Sequence, residues 1–149
     1  MPLWNIKHTP SLFSPTEKES VSKAATSIYK AVGLPAFYVQ VIFEELPPQS
    51  IYLGGEEHKT YASIEIHHIA RSIRDADTKK IFLDNVDKIF NPLLVKKGAK
   101  WEYFVSESER DMWKINGVYP PAAGSDEEKK WAEVNRQVKL DGTEYSVKI

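Results

Sequence analysis

The chain has 149 residues, 42% of them hydrophobic and 28% charged, with a net charge of −1. That length suits one domain with one core, and the near-neutral balance excludes the basic excess of a nucleic-acid binder. Cysteine is absent, which excludes a disulfide framework, a thiol nucleophile and a zinc–thiolate site; no apolar run approaches the ~18 residues of a membrane span, no signal-peptide stretch opens the chain, and a cytoplasmic protein is expected.

Pro2 precedes Leu3-Trp4-Asn5-Ile6, which reads as a strand. Initiator methionine is normally removed ahead of a small residue, and proline qualifies. Removal leaves a secondary amine at the head of an ordered element, whereas most chain ends fray. A free α-amino group titrates near ~8, and burial or nearby cations push it down toward working pH. A proline held in this way can serve as a base or a nucleophile.

Ser14-Pro15-Thr16-Glu17 opens a helix: Ser14 caps, Pro15 fits the first helical position and Glu17 completes a capping box. Val21, Ala24, Ala25, Ile28 and Val32 recur on one helical face, with Tyr29 at its edge, and Gly33 and Pro35 stop the helix. Phe37 to Phe43 is β-rich and nearly apolar, which predicts a strand buried on both faces. Leu53-Gly54-Gly55 marks a turn with positive φ. The pattern then repeats about 60 residues on. Ala62 to His68 is a strand, Asp75-Ala76-Asp77-Thr78 opens a helix, and Phe82, Val86, Ile89, Phe90 and Leu93 form its core stripe. Pro92 is expected to kink or end that helix. Gly98 precedes a strand at Lys100 to Val105.

Past Glu107, Asn116-Gly117 and Pro120-Pro121 punctuate a loop. Ser125 caps a short helix carrying Trp131 and Val134, and residues 141–149 read as a tail or an added edge strand. The expected fold is α+β, a two-layer α/β sandwich of two tandem β-α-β units. They form a four-stranded sheet with two helices on one face, plus a short C-terminal helix and tail. The whole chain is one domain, with units at about 2–46 and 61–106 and an extension at about 107–149. The open face of the sheet is expected to pack against another copy of the chain, or else under the C-terminal segment.

Arg71-Ser72-Ile73-Arg74 follows the third strand. Two guanidiniums this close repel unless an anion lies between them, and the guanidinium fork suits a carboxylate. Paired with Asp75 and Asp77, they would instead be ordinary surface arginines. Tyr103 and Tyr29 each offer a hydrogen bond to a substrate oxygen, or simple packing. His67 and His68 are neighbours on a strand and face opposite ways, so they cannot share a metal. No metal-ligand spacing or phosphate-binding glycine loop is present. Trp101, Trp113 and Trp131 read as core or interface anchors.

Together, Pro2, the duplicated β-α-β unit, Leu53-Gly54-Gly55, Arg71-x-x-Arg74 and Trp101-x-Tyr103-Phe104 resemble the tautomerase superfamily, over roughly residues 2–121. The resemblance is to the branch containing cis-3-chloroacrylic acid dehalogenase. It implies a homotrimer around a central barrel, with an active site at each N-terminal proline and no metal or external cofactor. It makes Pro2 the catalytic amine, has Arg71 and Arg74 hold a substrate carboxylate, and has Tyr103 position substrate or water. Two departures stand out. Tyr29 lies where the dehalogenases carry a histidine, and Lys114, Ile115 and Asn116 lie around the place of their water-activating glutamate. Tyr29 and Asn116 are therefore taken as substrate-binding positions. The function expected first is a proline-based tautomerase acting on a small 2-oxo or unsaturated carboxylic acid. The alternatives are a hydratase or dehalogenase, and a non-catalytic trimeric binding or signalling protein.

Overall fold

The computed structural model describes residues 1–145. Strand β1 (Leu3–His8), helix α1 (Pro15–Lys30) and strand β2 (Gln40–Glu45) form the first unit. A two-residue hairpin follows, β3 (Tyr52–Leu53) and β4 (Glu56–Glu57). Strand β5 (Tyr61–His68), helix α2 (Ala76–Lys96) and strand β6 (Lys100–Glu107) form the second unit, and helix α3 (Asp126–Val134) follows it. The sheet order is β2-β1-β5-β6. Each unit pairs its own strands in parallel, and β1 joins β5 antiparallel with Ile6 opposite Ile64. The expected four-stranded sheet and two helices are thus present.

Local chemistry sets the ends of these elements. The Ser14 capping box forms in both directions: the Glu17 amide donates to Ser14 Oγ at 3.2 Å and the Ser14 amide to Glu17 Oε2 at 2.8 Å. Asp75 caps α2 through the Thr78 amide at 2.7 Å. Gly54 and Gly55 take φ of 60° and 88°, the left-handed turn that a two-residue hairpin needs. Asn116 and Gly117 take φ of 46° and 78° between the bridged Ile115 and Val118.

The core lies between the sheet and the two helices. Trp4, Ile6, Ile64 and Ile66 from the central strands meet Val21, Ala25 and Tyr29 of α1 and Phe82, Val86, Phe90 and Leu94 of α2. Tyr29 is a full core residue, spaced four from Ala25 and eight from Val21, whereas Val32 lies past the helix end and is 61% exposed. Helix α2 continues through Pro92 to Lys96. The proline removes one backbone donor, and burial of Leu94 in the next turn offsets that loss.

The strand expected over Phe37–Phe43 is corrected. Ala36–Tyr38 is a 3₁₀ turn, and β2 begins at Gln40 as an edge strand half-buried on one face and exposed on the other. Ile42 points to the open face and is 49% exposed, as is Phe104 of β6 at 53%. Leu3 also lies on that face, and polar pairs occupy much of the rest: the Lys7 ammonium meets Glu65 at 2.9 Å, and Ser106 Oγ lies 2.8 Å from His67 Nδ1. The C-terminal segment instead packs at the end of the sheet where β2 starts. Trp131 packs on Phe37 and Tyr38 with ring centroids 5.9 and 6.2 Å apart, and Trp113 meets Tyr38 at 4.9 Å. Residues 139–142 form a turn closed by the Gly142 amide on the Lys139 carbonyl at 2.8 Å, and 143–145 form no strand. The remainder of the expected tail, 146–149, lies outside the described residues.

Candidate active site

Pro2 continues the inward alternation of Trp4, Ile6 and His8 and is buried. Its carbonyl accepts the Gln40 amide at 2.9 Å, which ties the head of β1 to β2. On its other side β1 pairs Leu3 with His67 and Trp4 with Ile66. One further step in that register sets Pro2 opposite His68, on the face that packs against the helices.

A cavity of about 400 Å³ opens beside Pro2, between α1, the start of α2 and the segment after β5. Its walls are mostly apolar, with Ile28, Leu34, Ile73 and Phe82 among them, and Tyr29, His68, Arg71 and Asn85 supply polar groups. Trp4 Nε1 donates to Tyr29 Oη at 2.9 Å, and Tyr29 Oη lies 2.7 Å from His68 Nε2. Burial lifts the Tyr29 phenol well above its ordinary range, against the Trp4 hydrogen bond, so it remains a neutral donor. Burial pushes His68 from 6.5 down to about 4, with Glu107 opposing and the chain's amino terminus adding to the fall. The Met1 α-amine is pushed from 8.0 down to about 4 by burial first and then by the Arg110 charge. This end of β1 is therefore hostile to ammonium.

Arg71 already has an anion, and it belongs to the chain. Its Nη2 donates to Glu128 Oε2 at 2.7 Å and its Nη1 to Glu128 Oε1 at 3.3 Å. Arg110 Nη2 reaches the same Oε1 at 3.3 Å, and the Gly124 amide donates to Oε2 at 2.7 Å. Glu128 is 1% exposed. Burial pushes its carboxyl up, but the Arg71 and Gly124 hydrogen bonds and the two guanidinium charges hold it below its ordinary value. Two guanidiniums and one carboxylate leave the cluster one net positive charge.

Arg74 is exposed and makes no hydrogen bond or ion pair among the described residues. It lines a second cleft of about 520 Å³ with Arg71 and Arg110, and that cleft shares the wall Ile69 to Ser72 with the Pro2 cavity. The structure thus brings Pro2, Tyr29 and Arg71 to one cavity, with Arg74 next door. It does not bring Tyr103 or Asn116 there within one chain. Tyr103 donates to Asp87 Oδ1 at 3.1 Å and lines a separate groove with Leu83 and Phe104. Asn116 sits in a surface turn and donates to Gln137 Oε1 at 2.7 Å. Lys114 lies over the Tyr119 ring at 4.3 Å, so the segment around it supplies no carboxylate to the cavity.

Three residues of this site escape a reading of the sequence. Glu128 stands three residues after Ser125, as in a capping box, but its carboxylate turns to Gly124 and the arginines instead. Arg110 meets it only through folding. His68 carried a usable signal, since it ends the inward series Ala62, Ile64, Ile66 at the strand end beside the chain's start.

The sequence pattern of the family described as "Putative oxalocrotonate tautomerase enzyme" matches residues 1–136. No curated protein matches the chain. Among solved structures, a probable enzyme from the thermophilic fungus Aspergillus fumigatus is 45% identical, with 93% of this chain and 97% of that one covered at a TM-score of 0.89. N1, a member of the cis-3-chloroacrylic acid dehalogenase family, shares the fold at 22% identity, a TM-score of 0.68 and coverage of 89% and 97%. A fused 4-OT wild-type symmetric trimer does so at 20% identity, a TM-score of 0.65 and coverage of 83% and 99%. With its duplicated β-α-β unit and its proline at the head of β1, the chain belongs to this oxalocrotonate tautomerase family, within the tautomerase superfamily.

Proposed function

We propose that the chain is a proline-based tautomerase acting on a small 2-oxo or unsaturated carboxylic acid with an apolar body, and that it works once Met1 is removed. The observation that carries this reading is Pro2 itself, buried at the head of a central strand and walled by an apolar cavity. An amine in such a place is neutral at pH 7, because burial and the net positive arginine cluster both disfavour its ammonium form. Neutral Pro2 takes a proton from the carbon beside the ketone. The C–H pair becomes the new double bond, the carbonyl π pair moves to oxygen, and the Pro2 ammonium returns the proton to that oxygen as the enol. The same steps reversed make the ketone.

Arg71 and Arg74 receive the substrate carboxylate in this reading, with unequal shares. Arg71 is engaged by Glu128 and offers its charge at short range, whereas Arg74 has its whole fork available. The apolar walls take the rest of the substrate. Catalysis by added water is less favoured, since Glu128, the one buried carboxylate among the described residues, is held ionised by two arginines and is a weak base. The chain acts as a homotrimer in this proposal. The likeness to a trimeric 4-OT and the apolar side chains of Ile42 and Phe104 on the open sheet face support it.

Phenylpyruvate, followed by its enol absorbance, is the test substrate. Pro2→Ala is expected to lose at least about 10²-fold in turnover, the usual share of a positioned proton carrier. Arg74→Ala is expected chiefly to raise KM. Unchanged turnover in Pro2→Ala contradicts the proposal.

A further inference from the structure

We propose that His68 is a second catalytic residue of this site, a neutral imidazole whose Nδ1–H donates a hydrogen bond to the substrate oxygen that gains charge when Pro2 removes a proton. The proposal rests on the Pro2 reading above and adds to it a group from a different strand.

Hydrogen-bond accounting favours one imidazole tautomer. The Trp4 indole can only donate, so Tyr29 Oη accepts from it at 2.9 Å. That leaves the phenol one proton, and His68 Nε2 lies 2.7 Å away. If Tyr29 donates to Nε2, the Trp4 indole N–H, the Tyr29 hydroxyl and His68 Nε2 are all paired. If Nε2 donated instead, Tyr29 would accept twice and its own proton would be buried without a partner, at a cost of about 1–3 kcal/mol. The first arrangement is therefore favoured, and it puts the imidazole proton on Nδ1. Nδ1 has no hydrogen-bond partner among the described residues, yet it is not among their sealed polar atoms. His68 lines the Pro2 cavity, and in this proposal Nδ1 is the atom that faces it.

Position completes the case. The strand register sets His68 across from Pro2 on the same face of the sheet. The imidazole edge is held by Phe82, with ring centroids 4.6 Å apart, and by Tyr29 at 5.3 Å. The site thus has a proton carrier on β1 and a pre-aimed donor on β5. A neutral donor suits the task, because it stabilises an enolate oxygen without adding a charge that would disturb the Pro2 amine. Tyr29 acts through His68 and is a positioning residue.

Two measurements test this. In ¹⁵N-labelled wild-type protein, two-bond ¹H–¹⁵N correlation of the imidazoles, assigned with His68→Gln, is expected to show His68 as the Nδ1–H tautomer at pH 7. An Nε2–H or imidazolium pattern overturns the proposal without reference to activity. With phenylpyruvate, His68→Leu is expected to lower kcat about 10²-fold, as loss of one oxyanion donor does, while KM stays within about twofold. His68→Gln, which keeps an N–H donor, is expected to recover part of that loss. If Pro2→Ala is inactive while His68→Leu keeps wild-type kcat, the role of His68 falls and that of Pro2 stands. If both variants keep wild-type kcat, the Pro2 reading falls and takes this one with it.

Discussion

His68 and Glu128 are both buried titratable groups, and they respond to acid over different ranges. Native His68 resists protonation down to about 4, whereas the unfolded chain takes that proton near 6.5. Between those values the unfolded state binds more protons, so stability rises with pH. The contribution, on the order of 3 kcal/mol, is present above pH 6.5 and drains away as the pH falls toward 4. Glu128 has a lowered native pKa, so its share of stability is present above its ordinary 4.5 and is lost only at more acid pH, as the native carboxylate is protonated. Denaturant melts between pH 7 and pH 4 are expected to show the first loss in the wild type and a much flatter profile in His68→Leu. Parallel profiles would contradict the buried, neutral state of His68. Such a group is hard to read from sequence. His67 and His68 stand side by side, and only strand alternation and the place of Pro2 separate the half-buried one from the buried one.

Helix α3 is the element that couples the C-terminal extension to the site. It carries an apolar anchor and a charge on one face, Trp131 and Glu128, three residues apart. Trp131 fills the space over Phe37 and Tyr38, and Glu128 reaches Arg71 after β5 and Arg110 after β6. Glu128→Gln keeps the shape but leaves two guanidiniums facing each other without their anion. Breaking a buried pair in this way costs about 3–5 kcal/mol, and chemical denaturation at pH 7 is expected to show a loss of that order. A loss below about 1 kcal/mol would mean that the cluster does not hold α3 in place.

The elements themselves were largely legible. Capping residues and the 3.6-residue stripe located α1, α2 and α3, and the repeat gave the sheet. The errors have physical causes. Phe37 to Phe43 is apolar because Phe37 and Tyr38 serve α3 while Val41 and Phe43 serve the core, which a single apolar run cannot distinguish. The anion expected between two arginines exists, but it is Glu128, and the second arginine is Arg110. Such a pairing depends on tertiary contact 57 residues apart in the chain.

At the scale of the whole molecule, the duplicated unit makes the site possible. Two β-α-β units joined antiparallel bring the first residues of β1 beside the last residues of β5, so a chain end and a strand end share one rim. The helices close that rim from one side and the C-terminal extension from another. The open sheet face and the separate groove holding Tyr103 and Phe104 are left to contacts between copies in the proposed trimer. Once Met1 is removed, as the proposed function requires, the same topology makes the start of the chain, ordinarily frayed, a buried and fixed amine.

Proton transfer by Pro2 depends on its amine being neutral at pH 7, and titration of that amine reports this state. In protein labelled with ¹⁵N-proline, a processed chain gives a secondary-amine signal from Pro2 whose shift follows its protonation. That signal is expected, with a midpoint below pH 7, shifted down from the ~8 of a free α-amine. A midpoint at or above 8, or no amine signal because Met1 still blocks the nitrogen in protein from its own cell, would contradict the proposed role of Pro2.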